Sequence, residues 1–151
     1  MNVGQVCRHK VVTIGASDDL AAAARLMREH HIGYLVVVEP AAQEGEVLPI
    51  GVLTDRDIVV AVVAKEVAPR TVSVGDVMTR KLTVALQEDC VGDALQEMRR
   101  IGVRRLPVVG AYGHLHGVLS LDDILLRMAD DFGGAAGAIR KELARETTQR
   151  P

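Results

Sequence analysis

The sequence predicts an α/β fold in which two copies of one β-α-β-β-α unit pack as a single pseudo-symmetric module. Three observations predict it: an internal repeat, apolar strand segments that alternate with helical spacing, and a composition suited to a packed core. Sliding the chain by 71 residues pairs residues 3–38 with 74–109 without a gap, and 11 of the 36 pairs are identical. Composition alone gives roughly three identities, so duplication is the better explanation. The match resumes at a shift of 66, pairing residues 51–58 with 117–124. The difference falls in a longer loop of the first copy, 39–49 against 110–116, where polar residues with Gly and Pro tolerate a length change.

Each copy begins with a short β-branched segment (11–14; 82–84). A cap-like acidic stretch follows, Ser17, Asp18 and Asp19 or Glu88 and Asp89. Apolar residues then recur at helical spacing, at Leu20, Ala23, Ala24 and Met27 and at Val91, Ala94, Leu95 and Met98. Two apolar strands come next (35–38 and 50–53; 106–109 and 117–119), and second helices open at Asp55 and Leu121. Strands apolar on both faces, alternating with helices, indicate a sheet covered by helices. One copy has too little to bury, so the expectation is a shared core between repeat one (3–65) and repeat two (70–131). The remainder, 132–151, reads as a Gly-rich hinge at 132–137 followed by a short charged helix over 138–145.

The 151 residues are 48% hydrophobic and 25% charged, ordinary for a packed domain. Eighteen basic and 20 acidic residues leave a net charge of −2, without the basic excess that nucleic-acid binding needs. Tyr34, Tyr112 and Phe132 are the only aromatics, too few for base-stacking platforms. Two cysteines make no disulfide framework. The N-terminal residues lack a signal-peptide pattern, and the longest apolar run, 58–64, is far short of the ~20 residues of a membrane span. The expected location is cytoplasmic, with neither membrane nor nucleic acid as partner.

The most informative chemistry is Gly51-Val52-Leu53-Thr54-Asp55-Arg56-Asp57 and its counterpart Gly117-Val118-Leu119-Ser120-Leu121-Asp122-Asp123. A strand ends on a hydroxyl residue, and an acid follows three positions later at a helix start. One reading is N-capping, with Thr54 and Ser120 accepting from free amides. The other is a nucleotide site, with phosphate at the helix start and carboxylate on ribose hydroxyls. Asp in both copies, where a capping box prefers Glu or Gln, favours the second.

Both halves resemble the cystathionine β-synthase (CBS) domain, and the pair resembles a Bateman module. In the first copy the resemblance rests on Val11-Val12-Thr13-Ile14, Gly33-Tyr34-Leu35-Val36-Val37 and the segment 51–58. In the second it rests on Asp76-Val77-Met78-Thr79, Leu82-Thr83-Val84, Arg104-Arg105-Leu106-Pro107-Val108-Val109 and the segment 117–124. It spans about 3–130. The resemblance implies a regulatory sensor, not an enzyme, that takes AMP, ADP, ATP, NAD or S-adenosylmethionine in two clefts between the repeats and forms a homodimer acting on an unidentified downstream protein. Carried over, the first cleft uses Asp57 on ribose and Thr54 on phosphate, with Thr79, Val84 and Val103 around adenine. The second uses Asp123 and Ser120, with Arg105 on phosphate and Arg8, Thr13 and Ile32 from repeat one. Tyr34 stands where repeat two has Arg105, so the first cleft is expected to lack that cation, with Arg56 as compensation.

Two rival readings remain. One is a metal-responsive or redox protein using Cys7 with His9, the pair His30 and His31, or His114 with His116. The other is a small nucleotide-hydrolysing enzyme with Asp57 or Asp123 as base. Cys90 and Met27, Met78, Met98 and Met128 read as packing. Asp122, Asp123, Asp130 and Asp131 read as solvated helix surface, with Mg²⁺ binding beside a polyphosphate as the alternative. No nucleophile–base–orienter set is present.

Overall fold

The computed structural model describes residues 1–149. Repeat one forms β1 (Thr13–Gly15), α1 (Leu20–His30), β2 (Tyr34–Pro40), β3 (Val47–Thr54) and α2 (Asp55–Ile58), which widens into a π-helical turn over Val59–Val63. Repeat two forms α3 (Val74–Val77), β4 (Ala85–Leu86), α4 (Val91–Ile101), β5 (Arg105–Val109), β6 (Leu115–Ser120) and α5 (Leu121–Gln149). Among the described residues no helix is long and apolar enough to cross a membrane.

Asp19 starts α1 by accepting a bond from the Ala22 amide at 2.8 Å, and Leu20, Ala23 and Met27 bury one face. The same face of α4 buries Val91, Ala94 and Met98. Both helices end on a residue in the left-handed region: His31 at φ 54° in α1 and Gly102 at φ 73° in α4. Glycine adopts that geometry freely, whereas histidine does so at a cost.

The two sheets have orders β1-β2-β3 and β4-β5-β6, with a parallel outer pair and an antiparallel hairpin in each. Each hairpin carries a bulge at the same place. Val37 and Val38 pair with Gly51 and Pro49, leaving Ile50 as the extra residue, and Val108 and Val109 pair with Gly117 and Leu115, leaving His116.

The core is shared between the repeats, as two clusters rather than one, each completed by a segment of the other repeat. Val3 and Cys7 pack among Ala85, Val91, Met98, Leu106 and Leu119, while Val74 and Met78 pack among Ile14, Leu20, Met27, Leu35 and Leu53. Backbone bonds fix the exchange in matching pairs. The Val3 amide donates to Asp89 O at 2.9 Å and the Val74 amide to Asp18 O at 2.8 Å. Arg8 and Val118 exchange bonds across β6 at 2.9 and 3.0 Å, as Thr79 and Val52 do across β3 at 2.9 and 3.2 Å.

These crossings explain the glycines before each helix start. A Cβ on Gly51 would lie 2.8 Å from Met78 Sδ and 2.9 Å from Thr79 O; on Gly117 it would lie 2.8 Å from both Cys7 Sγ and Arg8 O. Only glycine lets the crossing backbone approach so closely.

Three further expectations are corrected. The hinge at 132–137 is helix, because α5 runs unbroken through Gly133, Gly134 and Gly137. A nucleated helix gains one hydrogen bond per added residue, and Ala135, Ala136 and Ala138 support propagation. Met128 is exposed on α5 rather than core, and Cys90 is exposed at the cap position of α4.

Candidate functional site

Two clefts flank the junction of the sheets. The first, about 490 Å³, joins Thr54, Arg56 and Asp57 of repeat one to Thr79, Lys81, Leu82, Thr83 and Val103 of repeat two. The second, about 310 Å³, joins Ser120, Asp122 and Asp123 of repeat two to Arg8, Lys10, Val11, Val12 and Ile32 of repeat one. Both volumes lie in the range of small-ligand pockets. Each cleft therefore takes a strand end and helix start from one repeat and an extended segment from the other.

Of the expected residues, the structure brings all but two to a cleft. Val84 lines neither cleft, and Thr13 lies on an outer face of repeat one beside Gly15, Asp18 and Val38. The two occupy equivalent positions and fail for one reason. The clefts are crossed by residues 10–12 and 81–83, and each of the two stands one position past that segment. Lys10 and Lys81 belong to that crossing and were missed. Their signal was available, since they are one of the identical pairs of the repeat.

Tyr34 and Arg105 line both clefts. They are equivalent in the repeat, and Arg105 Cζ sits 5.6 Å from the Tyr34 ring centroid, within cation–π range. The pair partitions the two clefts. The first cleft was expected to lack the cation that Arg105 supplies, with Arg56 as compensation; Arg56 does line it, and so do Arg105 itself, Lys81 and Arg104. Burial pushes the Tyr34 phenol well above its usual range, opposed by Arg105, and keeps it neutral.

The helix starts are capped. Thr54 Oγ1 accepts from the Asp57 amide at 3.2 Å, and Asp57 Oδ2 accepts from the Thr54 amide at 2.8 Å, so Asp closes the box despite its shorter side chain. In the second copy the Asp123 amide donates to Ser120 Oγ at 3.1 Å, and that hydroxyl donates to Asp123 Oδ2 at 2.5 Å. Asp123 Oδ1 also accepts from Arg8 Nε at 2.8 Å and pairs with Arg8 Nη2 at 2.6 Å. Burial raises the Asp123 carboxyl, but the bonds from Arg8 and Ser120 outweigh it and hold the group below its usual range. Arg8 is raised in turn, chiefly by its hydrogen bond to Asp123.

Among the candidate metal ligands, Cys7, His9 and His116 come together. His114 instead pairs with Glu46 in the longer loop of the first copy. Asp130 and Asp131 lie exposed on α5, Asp131 beside Arg127 at 3.4 Å, whereas Asp122 and Asp123 line the second cleft.

The CBS domain profile matches residues 3–64 and 74–130. The chain belongs to the CBS domain family and carries two such domains in tandem, the arrangement of a Bateman module. An uncharacterised protein of Methanopyrus kandleri is 34% identical over 125 residues, covering 83% of this chain and 61% of the relative. The chain thus spans less than two thirds of that relative's length. Hypoxic response protein 1 of Mycobacterium tuberculosis is 33% identical over 124 residues, covering 82% of this chain and 78% of the relative. A crystal structure of Hypoxic Response Protein I with two coordinated zinc ions matches with a TM-score of 0.69 at 28% identity, over 84% of this chain and 98% of that one. The CBS domain pair of protein MJ0100, solved with 5′-methylthioadenosine and S-adenosylmethionine, matches with a TM-score of 0.71 at 23% identity, over 89% of this chain and 98% of that one. At that identity the likeness is one of fold.

Proposed function

We propose that the chain is a regulatory module that senses an adenosine nucleotide, with AMP, ADP, ATP or NAD as the ligand class, and does not transform it. The observation that carries the reading is the paired construction of the clefts. Each sets a hydroxyl–Asp helix start of one repeat against a Lys-bearing extended segment of the other. Phosphate would meet Thr54 or Ser120, the helix amides and the flanking cations, and ribose hydroxyls would meet Asp57 or Asp123. The aliphatic residues Leu82 and Val103, or Val11 and Ile32, would hold the base, since an apolar slot with few polar fixing points suffices. The adenosyl ligands of the MJ0100 pair indicate that this fold accommodates such molecules.

In the second cleft a ribose would have to displace Arg8 from Asp123. That exchange gives ligand binding a conformational consequence, because Arg8 belongs to the crossing segment. Exposed apolar residues at equivalent positions, Val59 and Val60 in the first copy and Leu125 and Leu126 in the second, would form the face of a homodimer. The long exposed α5 is the candidate reporter to a downstream protein.

A thermal-shift panel of AMP, ADP, ATP, NAD and S-adenosylmethionine tests the reading. A ligand at about 100 times its Kd stabilises by about 2.7 kcal/mol, a rise of roughly 5 °C or more for a chain of this size. Asp57→Ala with Asp123→Ala should abolish the shift while the protein stays folded. Equal stabilisation of parent and double variant overturns the ribose assignment. Chromatography of the ligand after long incubation should recover it intact; turnover would favour the hydrolytic reading.

A further inference from the structure

We infer that Cys7, His9 and His116 form a metal site for a zinc-type divalent cation, outside both clefts. Their candidate ligand atoms, one thiol sulfur and two imidazole nitrogens, all lie within 4.8 Å of one another. The two imidazoles meet edge to face, with centroids 4.8 Å apart at 83°. Cys7 is buried and His9 exposed, so the group opens from the core to solvent.

Zn–S and Zn–N bonds of about 2.3 and 2.0 Å put tetrahedral ligand atoms about 3.5 Å apart. Closing from 4.8 Å needs only rotation of imidazole side chains, one of them exposed. One thiolate with two imidazoles is the donor set of a borderline-soft ion; Mg²⁺ and Ca²⁺ prefer oxygen. The solvent side leaves the fourth position to water, as in three-ligand zinc sites.

The architecture brings these residues together by two devices. The exchanged N-terminal segment carries Cys7 and His9 onto the sheet of repeat two, and Gly117 makes room for the sulfur. The β6 bulge makes His116 the extra residue, releasing it from the strand's alternation.

The other end of the molecule supplies an internal control. Its equivalent positions hold Met78, Arg80 and Ile50, in the same fold with the same bulge. Packing therefore does not require a thiol or an imidazole at these places. The usual zinc donors, thiolate and imidazole, occupy all three positions at one end and none at the other. The site pins the crossing segment to β6 next to Arg8, which lies between the two ligands in sequence.

Titration of the full chain, free of any affinity tag and fully reduced, with Co²⁺ and then Zn²⁺ tests the inference. The expected result is one Co²⁺ per chain, with a thiolate-to-cobalt charge-transfer band and the visible bands of four-coordinate cobalt, displaced by Zn²⁺. His9→Gln and His116→Gln should each weaken binding at least tenfold, and Cys7→Ser should remove the charge-transfer band. Because Cys7 is buried, the exposed His9→Gln variant keeps the test independent of folding, and its metal-free unfolding midpoint should match the parent. Zn²⁺ should raise the unfolding midpoint of the parent and not of His9→Gln. No stoichiometric binding, cobalt without a thiolate band, or equal affinity in His9→Gln overturns the site.

Discussion

The two ends of this molecule share one backbone plan and use it differently. At each end a segment of the opposite repeat crosses a hairpin, a glycine admits its backbone, and a capped helix start faces the cleft beside it. At the repeat-one end the crossing brings Met78 and Thr79, and the carboxylate of Asp57 closes a capping box with backbone alone. At the repeat-two end it brings Cys7, Arg8 and His9, and Asp123 is held by a guanidinium. The first end is thus a cleft whose acid is occupied only by its own helix start. The second is a cleft whose acid already carries an internal cation. Duplication supplied two equivalent scaffolds, and a few side chains on the crossing segments gave them different chemistry.

The strongest way to break this comparison is to close the crossings. Gly51→Ala and Gly117→Ala should each cost about 1–3 kcal/mol in urea unfolding, because the added Cβ meets backbone that cannot move without opening the sheet. Comparable losses at both ends support the equivalence of the scaffolds. A loss at Gly51 alone would mean that the crossing over Gly117 yields where the crossing over Gly51 does not.

A smaller effect separates the helix ends. His31→Gly should stabilise by about 1 kcal/mol by relieving a left-handed backbone, while Gly102→Ala should destabilise by a similar amount. Opposite signs in the unfolding midpoints would confirm that the two helices stop by one geometry reached with unequal residues.

The smallest effect is on the acid limb. The Asp123 carboxyl is lowered in the folded protein, so its contribution is present above the unfolded value of about 3.9 and is lost as pH falls through the folded value. Arg8 is largely exposed, and screening limits the contribution to at most about 1 kcal/mol. Arg8→Thr, which copies the other end, should flatten this part of the stability profile measured by urea unfolding between pH 5 and 2.

Much of the site was legible because it is local. Thr54, Asp57, Ser120 and Asp123 stand where a strand ends and a helix begins, and the repeat marks them twice. Val84 and Thr13 were misplaced because the resemblance carried both over one position past the segment that crosses the cleft, a register that local pattern does not fix. The helix through Gly133 and Gly134 was read as a hinge because glycine content was weighed without the nucleated helix before it.

By itself the sequence determined the duplication, the element order and the capped helix starts, since periodicity and capping act within a few neighbours, while most other cleft residues were implied by the resemblance to CBS domains. Only the tertiary structure decided that residues 3–9 complete the core of repeat two, that Tyr34 and Arg105 stack, and that Cys7, His9 and His116 share one place. Across the repeats those contacts join residues 71 or more positions apart. They depend on which sheet each crossing segment buries itself against, a choice made by packing and backbone pairing rather than by local pattern.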